Sequence, residues 1–114
     1  MESEEAFIAY VPQEAREEII RYIDELVKSC DENCNSFTVE FMESGYIEED
    51  CANGRGYTGE VEATIKEYEN SHLTIYFGGS DTYIGANIEA QNIAGRSLKM
   101  QASNQIAPVI DFYN

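Results

Sequence analysis

From Pro12 onward the apolar residues change their spacing once, and that change limits this part of the chain to one helix followed by strands. Ala15, Ile19, Tyr22, Ile23, Leu26, Val27 and Cys30 recur at intervals of three and four and fall on one side of a helical wheel. Glu14, Glu17, Glu18, Arg21, Asp24, Glu25 and Lys28 fall on the other. Pro12 suits the first helical position, where its missing N–H costs nothing, and Asp31-Glu32-Asn33-Cys34-Asn35 should end the helix near Ser29 to Asp31. Glu17 with Arg21 and Asp24 with Lys28 stand in the favourable i,i+4 order on the polar face.

Beyond the helix the spacing is two. Phe37, Val39 and Phe41 alternate with Thr38, Glu40 and Met42, and a second run spans Tyr46 to Cys51. Val61, Ala63 and Ile65 alternate with Glu60, Glu62, Thr64 and Lys66, and Leu73 to Phe77, Tyr83 to Ala90, Arg96 to Ala102 and Ile106 to Tyr113 continue the pattern. Ala6 to Val11 reads as a short strand ahead of the helix. Turns are expected at Ala52-Asn53-Gly54-Arg55-Gly56, at Asn70-Ser71 and at Gly78-Gly79-Ser80-Asp81. The expectation is a single α+β domain over residues 1–114. An N-terminal amphipathic helix packs on a five- to six-stranded, mostly antiparallel sheet. One helix cannot cover both faces of such a sheet. The sheet must curl, or leave a face in water, or meet a partner or second copy.

The 114 residues suffice for one core, since a chain of this size buries roughly two thirds of its unfolded surface. With 43% apolar and 11% aromatic residues it is too hydrophobic for a disordered chain. The charge is the feature that looks outward: 22 acidic residues against seven basic ones, a net −15. Direct nucleic-acid binding needs a basic stripe to displace counterions, and anionic membrane surfaces need the same, so both are excluded and a basic protein is the favoured partner. The acidic N-terminus and the short apolar run after it lack the form of a secretory signal, and three cysteines make an odd set. A cytoplasmic protein with reduced thiols is therefore expected.

Chemistry is hard to place. A Cys₃His zinc site would need Cys30, Cys34, Cys51 and His72 to converge, but Cys30 continues the apolar helix face and the spacing is not that of a zinc knuckle. Asp31, Asn33 and Asn35 match the first ligand positions of a calcium loop, but Ser36 stands where Gly is needed and Met42 where a bidentate Glu is needed. His72 beside Ser71 and Asn70 is explained by a turn, and neither Gly78-Gly79-Ser80 nor Gly54-Arg55-Gly56 opens a helix as a phosphate loop does. No catalytic, metal or cofactor site is expected, and the chain is read as a non-enzyme.

The acid is uneven. Residues 1–50 hold 15 acidic and three basic side chains, whereas residues 51–114 hold seven and four. Glu40, Glu43, Glu48, Glu49 and Asp50 lie outside the helix, and Glu60 and Glu62 continue the set on the polar side of a strand. Tyr46 and Tyr57, with Tyr68 further on, are interleaved as flat interface anchors. Residues i and i+2 of a strand point the same way about 6.6 Å apart, an interval close to that between phosphates along a nucleic-acid strand. Glu48 with Asp50, Glu60 with Glu62, and Glu67 with Glu69 have this spacing. The expected function is a small acidic inhibitor that binds the basic surface of a nucleic-acid-handling protein, a nuclease or guide-RNA effector complex, by charge mimicry. In size and acidity the chain resembles, as a class, anti-CRISPR and anti-restriction proteins of phages and immunity proteins against nuclease toxins. The alternative is a homo-oligomeric assembly module, a homodimer for example, whose acid serves only solubility. A small-ligand binder using Tyr76, Tyr83 and Ile84 is a third reading.

Overall fold

The computed structural model describes residues 13–42, 45–50, 56–80 and 82–113, without the side chains of Glu49 and Asp50. The expected strand at Ala6 to Val11, the helix start at Pro12 and the turn around Asn53-Gly54 lie outside these residues. The helix α1 spans Gln13–Cys30 and buries Ala15, Ile19, Tyr22, Ile23, Leu26 and Val27, the face that the three- and four-residue spacing marks. Arg21 pairs with Glu18 at 2.6 Å and with Glu25 at 3.6 Å rather than with Glu17. Its guanidinium leans over the Tyr22 ring, 5.1 Å from the centroid, and that lean carries it to the side of the helix where Glu18 and Glu25 stand. Lys28 meets Asp24 at 3.0 Å as expected. These exposed pairs are each worth a few tenths of a kcal/mol.

Seven strands follow: β1 (Val39–Phe41), β2 (Tyr46–Asp50), β3 (Gly56–Ile65), β4 (His72–Gly79), β5 (Ile84–Ile93), β6 (Arg96–Ser103) and β7 (Val109–Phe112). From β2 to β7 they form an antiparallel meander, and β1 and β2 share the outer edge of β3, so the sheet is six positions wide. Between β1 and β2 the ladder slips: from Phe41 to Tyr46 is five residue steps, and the facing residues, Ala63 and Glu60, are three steps apart. No helix among the described residues is long and apolar enough to cross a membrane.

Strand alternation divides the sheet into two unlike faces. Val39, Val61, Ala63, Ile65, Leu73, Ile75, Phe77, Ile88, Ala90, Leu98 and Met100 are buried on the inner face. The helix crosses that face over β5 and β6. The Tyr22 hydroxyl donates to the Ile84 carbonyl at 2.9 Å, which satisfies its one polar atom inside the core. Arg96 lies 3.7 Å above the Phe112 ring and reaches the Ser29 carbonyl at 3.5 Å, so it joins β6 and β7 to the helix C-terminus.

The turns carry the departures from the sequence pattern. Gly78 and Gly79 belong to β4, and the chain reverses later, through Ser80 to Tyr83, closed by the Ser80 N–H on the Tyr83 carbonyl at 2.8 Å. A Cβ on Gly79 would stand 2.6 Å from the Tyr83 carbonyl oxygen, so close backbone approach, not turning, requires glycine there. At the opposite end Ser71 both accepts from the Ile65 N–H and donates to the Ile65 carbonyl, at 2.8 and 2.9 Å, closing the β3–β4 connection. The β5–β6 hairpin reverses at Ala94-Gly95, with φ of 53° and 77°. Positive φ at both central residues matches the type I′ turn, for which Asn-Gly is the favoured pair. Ala94→Asn should therefore raise unfolding free energy by about 1 kcal/mol by relieving alanine of a left-handed conformation. A higher urea midpoint at unchanged slope checks this, and an unchanged or lower midpoint contradicts the turn geometry.

Candidate partner-binding face

The outer face of the sheet is built by the residues that alternate with the core. Three rows cross it in register. One runs Tyr46, Glu60, Tyr76, Asn87, Gln101, Val109. A second runs Glu62, Thr74, Glu89, Lys99, Asp111, and a third runs Glu48, Thr58, Gly78, Gly85, Ser103. The rows hold five carboxylates and one lysine, Lys99, whose Nζ is 3.9 Å from Glu89. Glu62 meets His72 at 3.0 Å, so the histidine that a turn was expected to hold is the first residue of β4 and faces this side.

Of the residues singled out in the sequence, Glu40, Tyr46, Glu48, Glu60 and Glu62 are brought together here. Glu49 and Asp50 lie in β2 opposite Tyr57 and Gly56, and Glu43 lies outside the described residues. Tyr57 does not belong to the set. It stands on the inner face at 8% exposure, tilted against Phe77 with centroids 6.4 Å apart. Burial, with the Glu14 carboxylate nearby, pushes its phenol up. Alternation carries the reason: Tyr57 is three residues from Glu60, an odd number, so the two must face opposite ways.

Two further expectations are corrected by the contacts. Glu67 and Glu69 lie in the β3–β4 connection rather than on a strand. The Glu67 carboxylate accepts from the Thr38 N–H at 2.7 Å and the Thr38 hydroxyl at 3.1 Å, and the first of these holds it below the usual carboxylate range. Tyr68 is half-buried and donates to Asp31 at 2.9 Å, while the other Asp31 oxygen accepts from the Asn33 N–H at 3.2 Å. Cys30 ends α1, Cys34 donates weakly to the Ser36 carbonyl at 3.4 Å, and Cys51 lies outside the described residues.

The exposed apolar groups gather on the same face. Tyr46, Tyr76, Tyr83, Ile106 and Val109 are between 41% and 58% exposed. Over Gly78 and Gly85 lies an open depression of about 540 Å³ walled by Tyr46, Tyr76, Tyr83 and Ile106. The Tyr83 ring lies across Gly85 in the space that a Cβ would take. Glu60 stands between Tyr46 and Tyr76 in the row. Desolvation first, and then the Glu60 and Glu89 carboxylates, hold the Tyr76 phenol above its ordinary value. Sequence reading grouped Tyr76 and Tyr83 with Ile84, which is buried on the inner face, and it missed Glu89, Asn87 and Gln101 as members of the outer face. Their alternation is visible in the sequence, but only the strand order places them beside Glu60.

This surface offers carboxylates as acceptors, tyrosines as flat amphipathic contacts and almost no positive charge, a composition suited to a basic protein. Glu60→Gln should lower the pH at which Tyr76 ionises, because one of the carboxylates opposing the phenolate is removed. Comparing alkaline absorbance titrations of the native chain and Tyr76→Phe, each with and without Glu60→Gln, isolates that step. No change would mean that Glu60 and Tyr76 do not interact. No protein-family model, curated protein or solved structure matches the chain.

Proposed function

We propose that the protein is a small acidic inhibitor that uses the outer face of its sheet to occupy the basic, nucleic-acid-binding surface of a nuclease or guide-RNA effector complex. The observation that carries the reading is that the acid at the β1–β3 end of the outer face stands without a basic residue in register, whereas three of the five carboxylates on α1 are paired. On α1, Arg21 and Lys28 pair with Glu18, Glu25 and Asp24. On the sheet, Glu40, Glu48 and Glu60 stand on the outer face with no basic residue opposite them in register. Uncompensated like charges oppose folding, and a surface retained despite that cost is best explained by use. Neighbouring strands lie about 4.8 Å apart and side chains of like orientation about 6.6 Å apart along each strand. The carboxylates are thus spaced to meet an array of Lys and Arg side chains.

The uncovered sheet face also favours a second reading, self-assembly through this face with acid serving solubility. Salt separates the two. Charge mimicry weakens steeply as salt rises, whereas assembly of subunits each carrying −15 is strengthened when repulsion is screened.

The test is capture from a cell lysate on immobilised protein, with elution by a salt gradient. Recovery of a nucleic-acid enzyme at moderate salt is expected. Glu40→Lys, Glu48→Lys and Glu60→Lys together should weaken that binding at least about tenfold, with Glu17→Lys and Glu32→Lys on the helix side having a smaller effect. If the helix-side variant is the one that loses binding, the docking face is misplaced. If only the chain itself is recovered, self-assembly replaces inhibition.

A further inference from the structure

We infer that the depression over Gly78 and Gly85 is a receptor for a single arginine side chain of the basic partner. The inference rests on the reading of the outer face as a docking surface and adds which cation it accepts and where. Three exposed tyrosines, Tyr46, Tyr76 and Tyr83, wall the hollow, and its floor is the β4 backbone at Gly78, with the Tyr83 ring lying over Gly85 of β5. A planar guanidinium can lie on such a floor and stack against a tyrosine ring, which is the arrangement that favours a delocalised cation over a compact ammonium. Asn87 and Gln101, in register on the next two strands, offer side-chain carbonyl oxygens at the rim. Glu60, fixed between Tyr46 and Tyr76, supplies the counter-charge without blocking the floor.

Charge complementarity selects this occupant over an apolar one. Among the described residues, none of the side chains lining the depression is charged, and the carboxylates nearest in register are Glu48, Glu60 and Glu89. An incoming cation therefore leaves water for tyrosine faces while remaining beside negative charge, the condition under which cation–π contacts are strongest. A carboxylate or phosphate ligand would meet repulsion from Glu48 and Glu60, and a plain hydrocarbon would gain nothing from that acid. Lysine fits less well because its hydrated ammonium loses more water on stacking and cannot bond two acceptors in one plane.

The experiment compares fluorescently labelled oligoarginine and oligolysine peptides of equal length, titrated into the intact chain at physiological salt. Oligoarginine should bind about tenfold more tightly. Tyr46→Ser with Tyr76→Ser should remove that preference while leaving oligolysine binding in place, since both side chains are exposed and the carboxylates remain. Glu60→Gln, which keeps both rings, should weaken both peptides and retain the preference for arginine. Equal affinities for the two peptides in the native chain, or a preference that survives the double tyrosine variant, would overturn the inference and leave the acidic docking face intact. If neither peptide binds, the docking face itself fails. A shift in thermal unfolding of the tyrosine variant would move the comparison to Tyr46→Phe with Tyr83→Ser, for which a partial loss of preference is expected and none would count against the hollow.

Discussion

Everything in this molecule follows from a sheet with one helix to cover it. A β-sheet has two faces and α1 spans one of them, so every second residue from β1 to β6 must be apolar and its neighbours must tolerate water. Val61, Ile75, Ile88 and Met100 meet that demand in one transverse line under the helix side. The residues between them are then free of any packing requirement. Acid and tyrosine occupy many of these positions, Glu48, Glu60, Glu62, Glu89, Tyr46 and Tyr76 among them.

The glycines connect the two faces. On the inner side, Phe77 fills the space beside Gly59, where a Cβ would stand 2.5 Å from the ring, and Tyr57 crowds Gly79 in the same way. Large rings over glycine recover burial that the strand would otherwise lose. On the outer side, the Tyr83 ring lies over Gly85, and the absence of a side chain at Gly78 leaves that part of the floor exposed among the tyrosines. One end of the sheet thus has its aromatic mass displaced inward at Tyr57 and Phe77 and raised at the rim at Tyr46, Tyr76 and Tyr83.

The helix is legible in the sequence because seven apolar residues at three- and four-residue spacing admit no other element, and its end at Cys30 falls where the polar run begins. The strands are legible through alternation, to within a few residues at each end. Turn identity is less so. Ala94 occupies a left-handed position that alanine disfavours, and no composition signal marks it; Gly78 and Gly79 carry a turn signal but serve close approach. Of the acidic face, Glu40, Glu48, Glu60 and Glu62 could be read from parity alone. The same parity places Tyr57 on the other side, a constraint that the tyrosine spacing obscures. What no single strand reveals is which strands are neighbours, and the association of Glu60 with Tyr76 and of Thr74 with Glu89 depends on that order. The two extra residues between β1 and β2 are hidden for the same reason.

In the proposed function, the acid of the sheet rather than that of the helix meets the basic partner. Amide chemical-shift mapping tests it most directly: a short oligolysine peptide is titrated into isotope-labelled protein at low salt, and the titration is repeated at high salt. On this reading, shifts are expected to concentrate in β1 to β3 around Glu40, Glu48 and Glu60, to leave α1 nearly unmoved, and to disappear as salt screens the interaction. Shifts that begin along Glu14, Glu17 and Asp24 of the helix, or that spread evenly over every acidic residue, would contradict it.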